Sequence, residues 1–250
     1  RDFCLSRGLG DVYKRQDKAF WDSLGVQLIW MLLSTVFHAL GGLVLSIIVE
    51  YFIHRKLQAV FRTLFFMPMM MSLVAVGILW TLIYNPLIGV INEILQVLGI
   101  LSGNQTLDLL GDRSTALLAA FIPALWQWSG FGMVVFSAAL QGMSRELLEA
   151  ASLDGCSKWQ QIRYIILPLL RPTIITVCTI NLIGGMKCFD LLYTMTKGGP
   201  GTATQSTTIY IYKEMFTNSH YGYSAAMSMI LFIVTVFVSL LFLRMTKNKN

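Results

Sequence analysis

The chain has 250 residues, of which 55% are hydrophobic and only 13% are charged. A soluble domain usually carries about a quarter charged residues, so this composition excludes an ordinary soluble protein and predicts an all-α membrane protein. The net charge of +6 does not indicate nucleic-acid binding, because the basic residues are scattered through loops rather than collected on one face.

The first sixteen residues are expected not to be native. Ser6–Gln16 (SRGLGDVYKRQ) resembles the translation of a transposon-based sequencing adaptor, and residues 1–16 lack the apolar core of a signal peptide. We expect the native sequence to begin near Asp17, and we assign no function to the basic residues before it.

Five apolar runs follow, each long enough to cross about 30 Å of hydrocarbon, which takes about 20 residues in a helix. They lack the polar face with a period of 3.6 residues that buried helices of soluble proteins show. The predicted membrane helices are Gly25–Val49, Thr63–Tyr84, Leu117–Leu140, Thr173–Met195 and Tyr223–Leu243.

The basic residues of the loops fall mainly on one side of these helices, which the positive-inside rule assigns to the cytoplasm. That side includes the loop 141–171 and the C-terminus. Five crossings then leave Phe20 and Trp21 outside, so we expect an earlier crossing and a native six-helix protein of which five helices are retained. The basic side carries Arg55, Lys56, Arg62, Arg145, Lys158, Arg163, Arg171, Arg244, Lys247 and Lys249.

The loop 141–171 contains residues that are typical of the start and end of a short helix and of a turn. Ser144 is a suitable N-cap, Glu146 suits the positive end of the helix dipole, and Gly155 suits the residue that ends a helix. These signals predict a helix over about Arg145–Asp154 and a second helix from near Ser157.

Two alanines are predicted to leave one face of the first helix nearly smooth. Ala150 and Ala151 are small, and apolar Leu147, Leu148 and Leu153 lie beside them. Such a helix suits a groove on another protein. The pattern fits equally well an amphipathic connector that lies on the membrane surface.

At these residues the chain resembles a known family. The motifs look like the EAA signature and its companions in the inner-membrane permease subunits of binding-protein-dependent ABC importers, on the carbohydrate branch that includes maltose- and glycerol-3-phosphate-type permeases. Small departures are Ser144 for Pro, Cys156 for Ala and Lys197 for Gly. The matching residues are Phe20-Trp21, Arg62–Pro68, Asn85-Pro86, Glu149–Ala151, Asp154-Gly155, Ile166–Pro168, Thr196–Pro200, Thr204, Tyr210 and Tyr212.

The resemblance implies that residues 17–250 form the transmembrane domain of an ATP-driven importer in the bacterial-type inner membrane. It implies three protein partners: a second homologous permease, a cytoplasmic ATPase dimer and an extracytoplasmic solute-binding protein. The EAA helix would enter a cleft on the ATPase. The residues that the resemblance assigns to this coupling contact are Glu149, Ala150, Ala151, Asp154 and Gly155.

Energy must then come from a partner, because the chain contains no GxxxxGK[ST] phosphate-binding loop. We predict no cofactor in this chain, with ATP and Mg bound by the ATPase subunit. No catalytic constellation emerges, since His38, His54 and His220 are isolated, and the four cysteines show no metal-ligand spacing. The chain is therefore predicted to be a transport subunit and not an enzyme.

Candidates for the solute path come from polar and aromatic residues inside the membrane runs, because burying them in hydrocarbon is costly. Lys187 and Asp190 are three residues apart and could instead form an ion pair that seats their helix. The residues considered are Trp126, Gln127, Asn181, Lys187 and Asp190.

Two alternative functions stay open at this point. One is an importer permease for a non-sugar solute. The other is a secondary transporter driven by an ion gradient, although the chain lacks clear internal hydropathy repeats and carboxylates at the membrane midplane. The loop Thr196–Tyr212 could meet a solute-binding protein or close the path from outside.

Overall fold

The computed structural model of the chain describes residues 2–100 and 105–247, with the side chains of 18–144 (apart from 101–104) and 146–246. Within these residues the secondary structure is helical, with no β-strand. The α-helices are α1 (Asp2–Leu33), α2 (Ala39–Ile47), α3 (Arg55–Phe66), α4 (Leu73–Ile83), α5 (Val90–Val97), α6 (Ala116–Gln141), α7 (Arg145–Leu153), α8 (Lys158–Gln161), α9 (Leu167–Gly185), α10 (Asp190–Thr196), α11 (Thr207–Tyr212) and α12 (Tyr221–Lys247).

Several α-helices are joined by tighter or wider helical turns. A 3₁₀ turn, Met67–Met70, follows α3. The π-helical turns are Ser34–His38, Ile48–Phe52, Ile162–Ile166 and Lys213–Thr217.

Four helical segments of the described residues are long and apolar enough to cross a membrane, and a fifth span is possible if two bent neighbours count as one. This confirms the all-α membrane fold. The four segments are Lys18–Phe52, Ala116–Gln141, Lys158–Gly185 and Tyr221–Thr246.

The prediction of one continuous membrane helix over Thr63–Tyr84 is wrong. After α3 the chain forms the 3₁₀ turn that contains Pro68, and the backbone of Met71 and Ser72 is then extended. Proline donates no backbone hydrogen bond, which favours a break at this point. The segment is therefore two helices, α3 and α4.

The fourth predicted membrane helix, Thr173–Met195, is displaced. The helical segment begins at Lys158 and ends at Gly185, and α10 starts only at Asp190. The break is stabilised because Gln27 Nε2 donates to the carbonyl of Gly185 at 2.7 Å. A helix end leaves carbonyl groups without partners, and this side chain supplies one.

The chain divides into two compact units. One contains the chain up to Leu32 together with Ser72–Pro123 and Gly184–Val238; the other contains Leu33–Met71, Ala124–Ile183 and the chain from Ser239.

In the first unit α4 packs closely on α10, since a Cβ added at Gly77 would lie 2.9 Å from Thr194 Cγ2. A smaller cluster joins Phe20, Tyr210 and Met227.

The core of the second unit joins α2, α6 and the helical segment from Lys158 onward. Helices α2 and α6 cross in near-contact, because a Cβ added at Gly42 would lie 2.6 Å from the backbone of Gly132. Glycine at both positions permits this close approach of the two helices. The buried core residues are Ala39, Phe136, Leu140, Ile162, Ile166, Leu170 and Val177.

Candidate functional site

The candidate site is the segment 141–171, from the last residue of α6 to the first residues of α9, which we call the coupling loop. Its first helix, α7, spans Arg145–Leu153, close to the prediction. Ser144 has the extended backbone of an N-cap residue, but among the described residues its hydroxyl makes no capping hydrogen bond. The predicted N-cap position is thus confirmed, while the side-chain bond is not formed.

The end of α7 is a Schellman motif, in which two hydrogen bonds close the last turn. The N–H of Gly155 donates to the carbonyl of Ser152 at 3.1 Å, and the N–H of Cys156 donates to that of Ala151 at 2.9 Å. Gly155 has φ +82°, a left-handed conformation that glycine adopts at no steric cost. The predicted turn is therefore confirmed.

The second helix of the loop begins with a capping box. The N–H of Gln160 donates to Ser157 Oγ at 3.3 Å, and the N–H of Ser157 donates to Gln160 Oε1 at 2.7 Å. The buried Gln161 side chain ties this helix back to α7, because its Nε2 donates to Ser152 Oγ at 2.8 Å. The turn between the two helices is consequently held by side chains as well as by backbone.

The five predicted coupling residues do not share one face. Glu149, Ala150, Asp154 and Gly155 are exposed, whereas Ala151 is only 9% exposed. The smooth outer face predicted from two alanines is wrong for Ala151, because the helical period places it with Leu148, which packs against the buried core.

The exposed side of the loop also presents large apolar side chains. Leu153 is 89% exposed, Trp159 is 72% exposed and Leu147 is 45% exposed. Apolar groups gathered with charges on one exposed surface mark interaction sites. Trp159 was missed by sequence reasoning, and its position inside the Ser-x-x-Gln capping pattern of residues 157–160 was the available signal.

The solute-path candidates of the second unit are partly buried in helices. The side chain of Gln127 is buried, and its Nε2 donates to the carbonyl of Met71 at 2.8 Å. Asn181 is also buried, and Trp126 is 40% exposed. Gln127 therefore holds the extended backbone that separates α3 from α4.

The candidates of the first unit, Lys187 and Asp190, are both exposed and lie on either side of the helix break. Among the described residues they form no ion pair with each other. The alternative reading of a pair across one helical turn is wrong, because Lys187 lies in the break rather than in a helix.

Lys187 lines a groove of about 440 Å³ whose aromatic side chains were missed by sequence reasoning. Phe189 stacks on Tyr193 with ring centroids 5.0 Å apart, and Tyr212 lies 5.1 Å from Phe189 and 5.0 Å from Phe216. Phe189 and Tyr193 are four residues apart in the chain, as are Tyr212 and Phe216, but the contact between the two pairs joins separate segments and leaves no signal in the spacing.

The loop Thr196–Tyr212 is built around buried hydroxyl groups. The hydroxyl of Thr204 donates to the carbonyl of Gly199 at 2.7 Å and lies 2.6 Å from that of Thr196. Ser206 and Thr207 are fully buried. These hydroxyl groups find partners within the chain, both in the loop and at the carbonyl of Cys188, to which Ser206 donates at 3.2 Å.

Among the described residues no group of three His, Cys, Asp or Glu side chains could hold a metal ion. His54 caps α3 by accepting from the N–H of Lys56, and His220 Nδ1 lies 2.7 Å from Glu214 Oε2. These two histidines make structural contacts.

Comparison with known proteins identifies the family. The model of the family described as "Binding-protein-dependent transport system inner membrane component" matches residues 42–248. The chain is 33% identical to the probable ABC transporter permease protein YurN of Bacillus subtilis, over 93% of this chain and 79% of that protein. It is 30% identical to the lactose transport system permease protein LacF of Rhizobium radiobacter, over 90% of this chain and 75% of that protein.

A solved structure shares the fold. The crystal structure of a bacterial ABC transporter involved in the import of the acidic polysaccharide alginate matches with a TM-score of 0.83 and 22% identity, over 92% of this chain and 79% of that one. Together with the match over most of its length, these findings show that the chain belongs to the family of inner-membrane components of binding-protein-dependent transport systems.

Proposed function

We propose that this chain forms part of the solute pathway of an ATP-driven importer for a sugar or a glycerol phosphate. Its place in a family of binding-protein-dependent importers supports the transport role. The lactose permease among its relatives supports the sugar class. In this proposal the chain acts with a second homologous permease, a solute-binding protein and a cytoplasmic ATPase dimer that binds ATP and Mg.

The observation that carries the proposal is the exposed helix α7 with its rigid end. Glu149, Ala150 and Asp154 are exposed, and Leu153 extends almost fully into solvent. A short helix with outward charges and an exposed leucine suits insertion into a groove of a partner. We assign this contact to the ATPase, with Glu149 and Asp154 as acceptors of charge-assisted hydrogen bonds.

The proposal also sets the orientation of the chain. The coupling loop and the C-terminus would both lie in the cytoplasm, which agrees with the positive-inside rule. The candidates for solute contact are Gln127 and Asn181 within the second unit and, taken separately, Lys187 within the first.

Gly155 offers a sharp test of coupling, because a Cβ added there would meet nothing within 4 Å. Any effect of substitution must then come from the backbone or from a partner. Asparagine tolerates the left-handed conformation, whereas a β-branched residue does not. We therefore compare Gly155→Val with Gly155→Asn in the reconstituted complex.

The measurement is uptake of radiolabelled lactose, maltose or sn-glycerol-3-phosphate by proteoliposomes, with L-histidine as the non-sugar probe. We expect Gly155→Val to lose ATP-driven uptake while the subunits still co-purify, and Gly155→Asn to retain most of it. Unchanged uptake by Gly155→Val would show that α7 is a membrane-surface connector. Uptake of L-histidine alone would overturn the sugar class.

A further inference from the structure

A polar cluster lies beside the coupling loop, on the chain segment 48–62, which we call the 48–62 hairpin. It runs from the π-helical turn Ile48–Phe52 into α3. Arg62 donates to Glu50 Oε1 from Nη2 at 2.6 Å and from Nε at 3.1 Å. Gln58 Nε2 closes the turn by donating to the carbonyls of Glu50 and Ile53, each at 3.2 Å.

Gln141, the last residue of α6, completes this cluster. When its amide oxygen faces the guanidinium, Oε1 accepts from Arg62 Nη2 at 2.6 Å and from Nη1 at 2.9 Å. The side chains of Glu50 and Arg62 are 10% and 29% exposed. All three guanidinium nitrogens of Arg62 thus donate to Glu50 or to Gln141.

The same hairpin is also contacted by the part of the coupling loop that follows the turn at Gly155. Lys158 Nζ donates to the carbonyl of Tyr51 at 3.4 Å and lies 5.5 Å from the centre of the Phe52 ring. Gln141 precedes the N-cap of α7, and Lys158 follows the turn at Gly155. Helix α7 is therefore bracketed by two polar contacts to one hairpin.

Apolar packing joins the same parts. Leu148 of α7 packs on the buried cluster that also receives Ile47 of α2 and Tyr51 of the hairpin. Packed interiors resist continuous deformation, so a force on α7 is passed on rather than absorbed.

An ion pair at this depth is weak evidence for stability, because desolvation offsets much of the Coulomb attraction. Removing one partner is costly, because it leaves a charge without compensation. The pair is thus better suited to fixing one relative position of α3, α6 and the end of α2 than to adding stability.

We infer that Glu50, Arg62 and Gln141 are positioning residues that transmit the displacement of α7 to α2 through the 48–62 hairpin. This inference rests on the proposed coupling function. It assigns a role in transport to residues outside the EAA helix.

The test uses the reconstituted complex with its ATPase, second permease and binding protein. The solute is whichever of lactose, maltose, sn-glycerol-3-phosphate and L-histidine the wild type takes up. Solute uptake and ATP hydrolysis are measured together for Glu50→Gln, Arg62→Gln and the reversed pair Glu50→Arg/Arg62→Glu. Lys56→Gln is the control, because Lys56 is an exposed cation on the same helix.

Removing either charge is expected to lower uptake per ATP hydrolysed about fivefold, with the complex still intact, which is the size of an ordinary pairwise coupling. The reversed pair is expected to return to within about twofold of wild type, because the amide of Gln141 offers both a donor and an acceptor and can turn to serve either order. Lys56→Gln is expected to match wild type.

Wild-type ratios in both single variants would overturn the inference, as would loss of the ATPase from the complex or failure of the reversed pair to recover. If the wild-type complex takes up none of these four solutes, that result would instead contradict the proposed function on which the inference rests. The two failures are thus distinguished by the wild-type measurement.

Discussion

Two glycine-containing loops of this chain, the coupling loop 141–171 and the loop 196–212, differ in the exposure of their polar side chains. In the coupling loop Glu149 and Asp154 are exposed, and an adjacent leucine is almost fully exposed. In the loop 196–212 the hydroxyl groups of Thr204 and Ser206 are buried and hydrogen-bonded within the chain. The first loop offers groups to a partner, whereas the second is already satisfied.

This difference in exposure distinguishes a surface that binds a partner from a loop whose polar groups serve the fold. Buried polar groups that find partners inside the chain have no need of an external ligand. Exposed apolar groups beside unpaired charges gain free energy only when a partner covers them.

The largest effect is expected from Leu153, whose matched control is Leu87. They are 89% and 88% exposed, so neither substitution disturbs internal packing. Burying a leucine at an interface contributes about 1.5–3 kcal/mol. Leu153→Ala is expected to weaken binding of the ATPase about 10- to 100-fold.

Binding of the purified ATPase to the permease pair in nanodiscs measures this effect. Leu87→Ala should bind like wild type. If Leu153→Ala binds the ATPase as tightly as Leu87→Ala does, the comparison fails, because the exposed leucine of the coupling loop would then have no partner.

A smaller effect, on stability, is expected from Thr204→Val. This change keeps the shape of the side chain but removes the hydroxyl that donates to Gly199. An unsatisfied buried partner costs about 1–3 kcal/mol. The melting temperature of the detergent-solubilised protein should fall, whereas uptake by the folded fraction should be retained.

Thr202→Val is the control for this prediction, because Thr202 is exposed in the same loop. Its melting temperature should match wild type. A loss of binding-protein-dependent transport without loss of stability in Thr204→Val would instead make the loop an interaction surface.

The smallest effect is expected from Gln161→Met, which removes the bond to Ser152 Oγ at 2.8 Å. A hydrogen bond of this kind contributes about 0.5–1.5 kcal/mol. Hydrogen exchange of the amides of residues 152–156 should become faster, while the exchange of α9 is unchanged. If the amides of residues 152–156 exchange at the same rates in Gln161→Met and in wild type, backbone hydrogen bonds alone hold the turn.

The sequence by itself determined the membrane class, three of the membrane helices and the turn after α7. These features rest on local physics: a run of apolar residues needs about 20 positions to cross the hydrocarbon, and a glycine after a short helix accepts a left-handed turn. Gly155 and Ser157 are found where these rules put them.

Only the tertiary structure decided where helices break and which side chains meet. The end of α9 at Gly185 depends on Gln27, which is 158 residues distant in the chain. The inward position of Ala151 depends on the core that Leu148 joins, and the contacts of Arg62 with Glu50 and Gln141 depend on three separate segments. Contacts between distant residues leave no periodic pattern, so no rule of spacing along one chain could have predicted them.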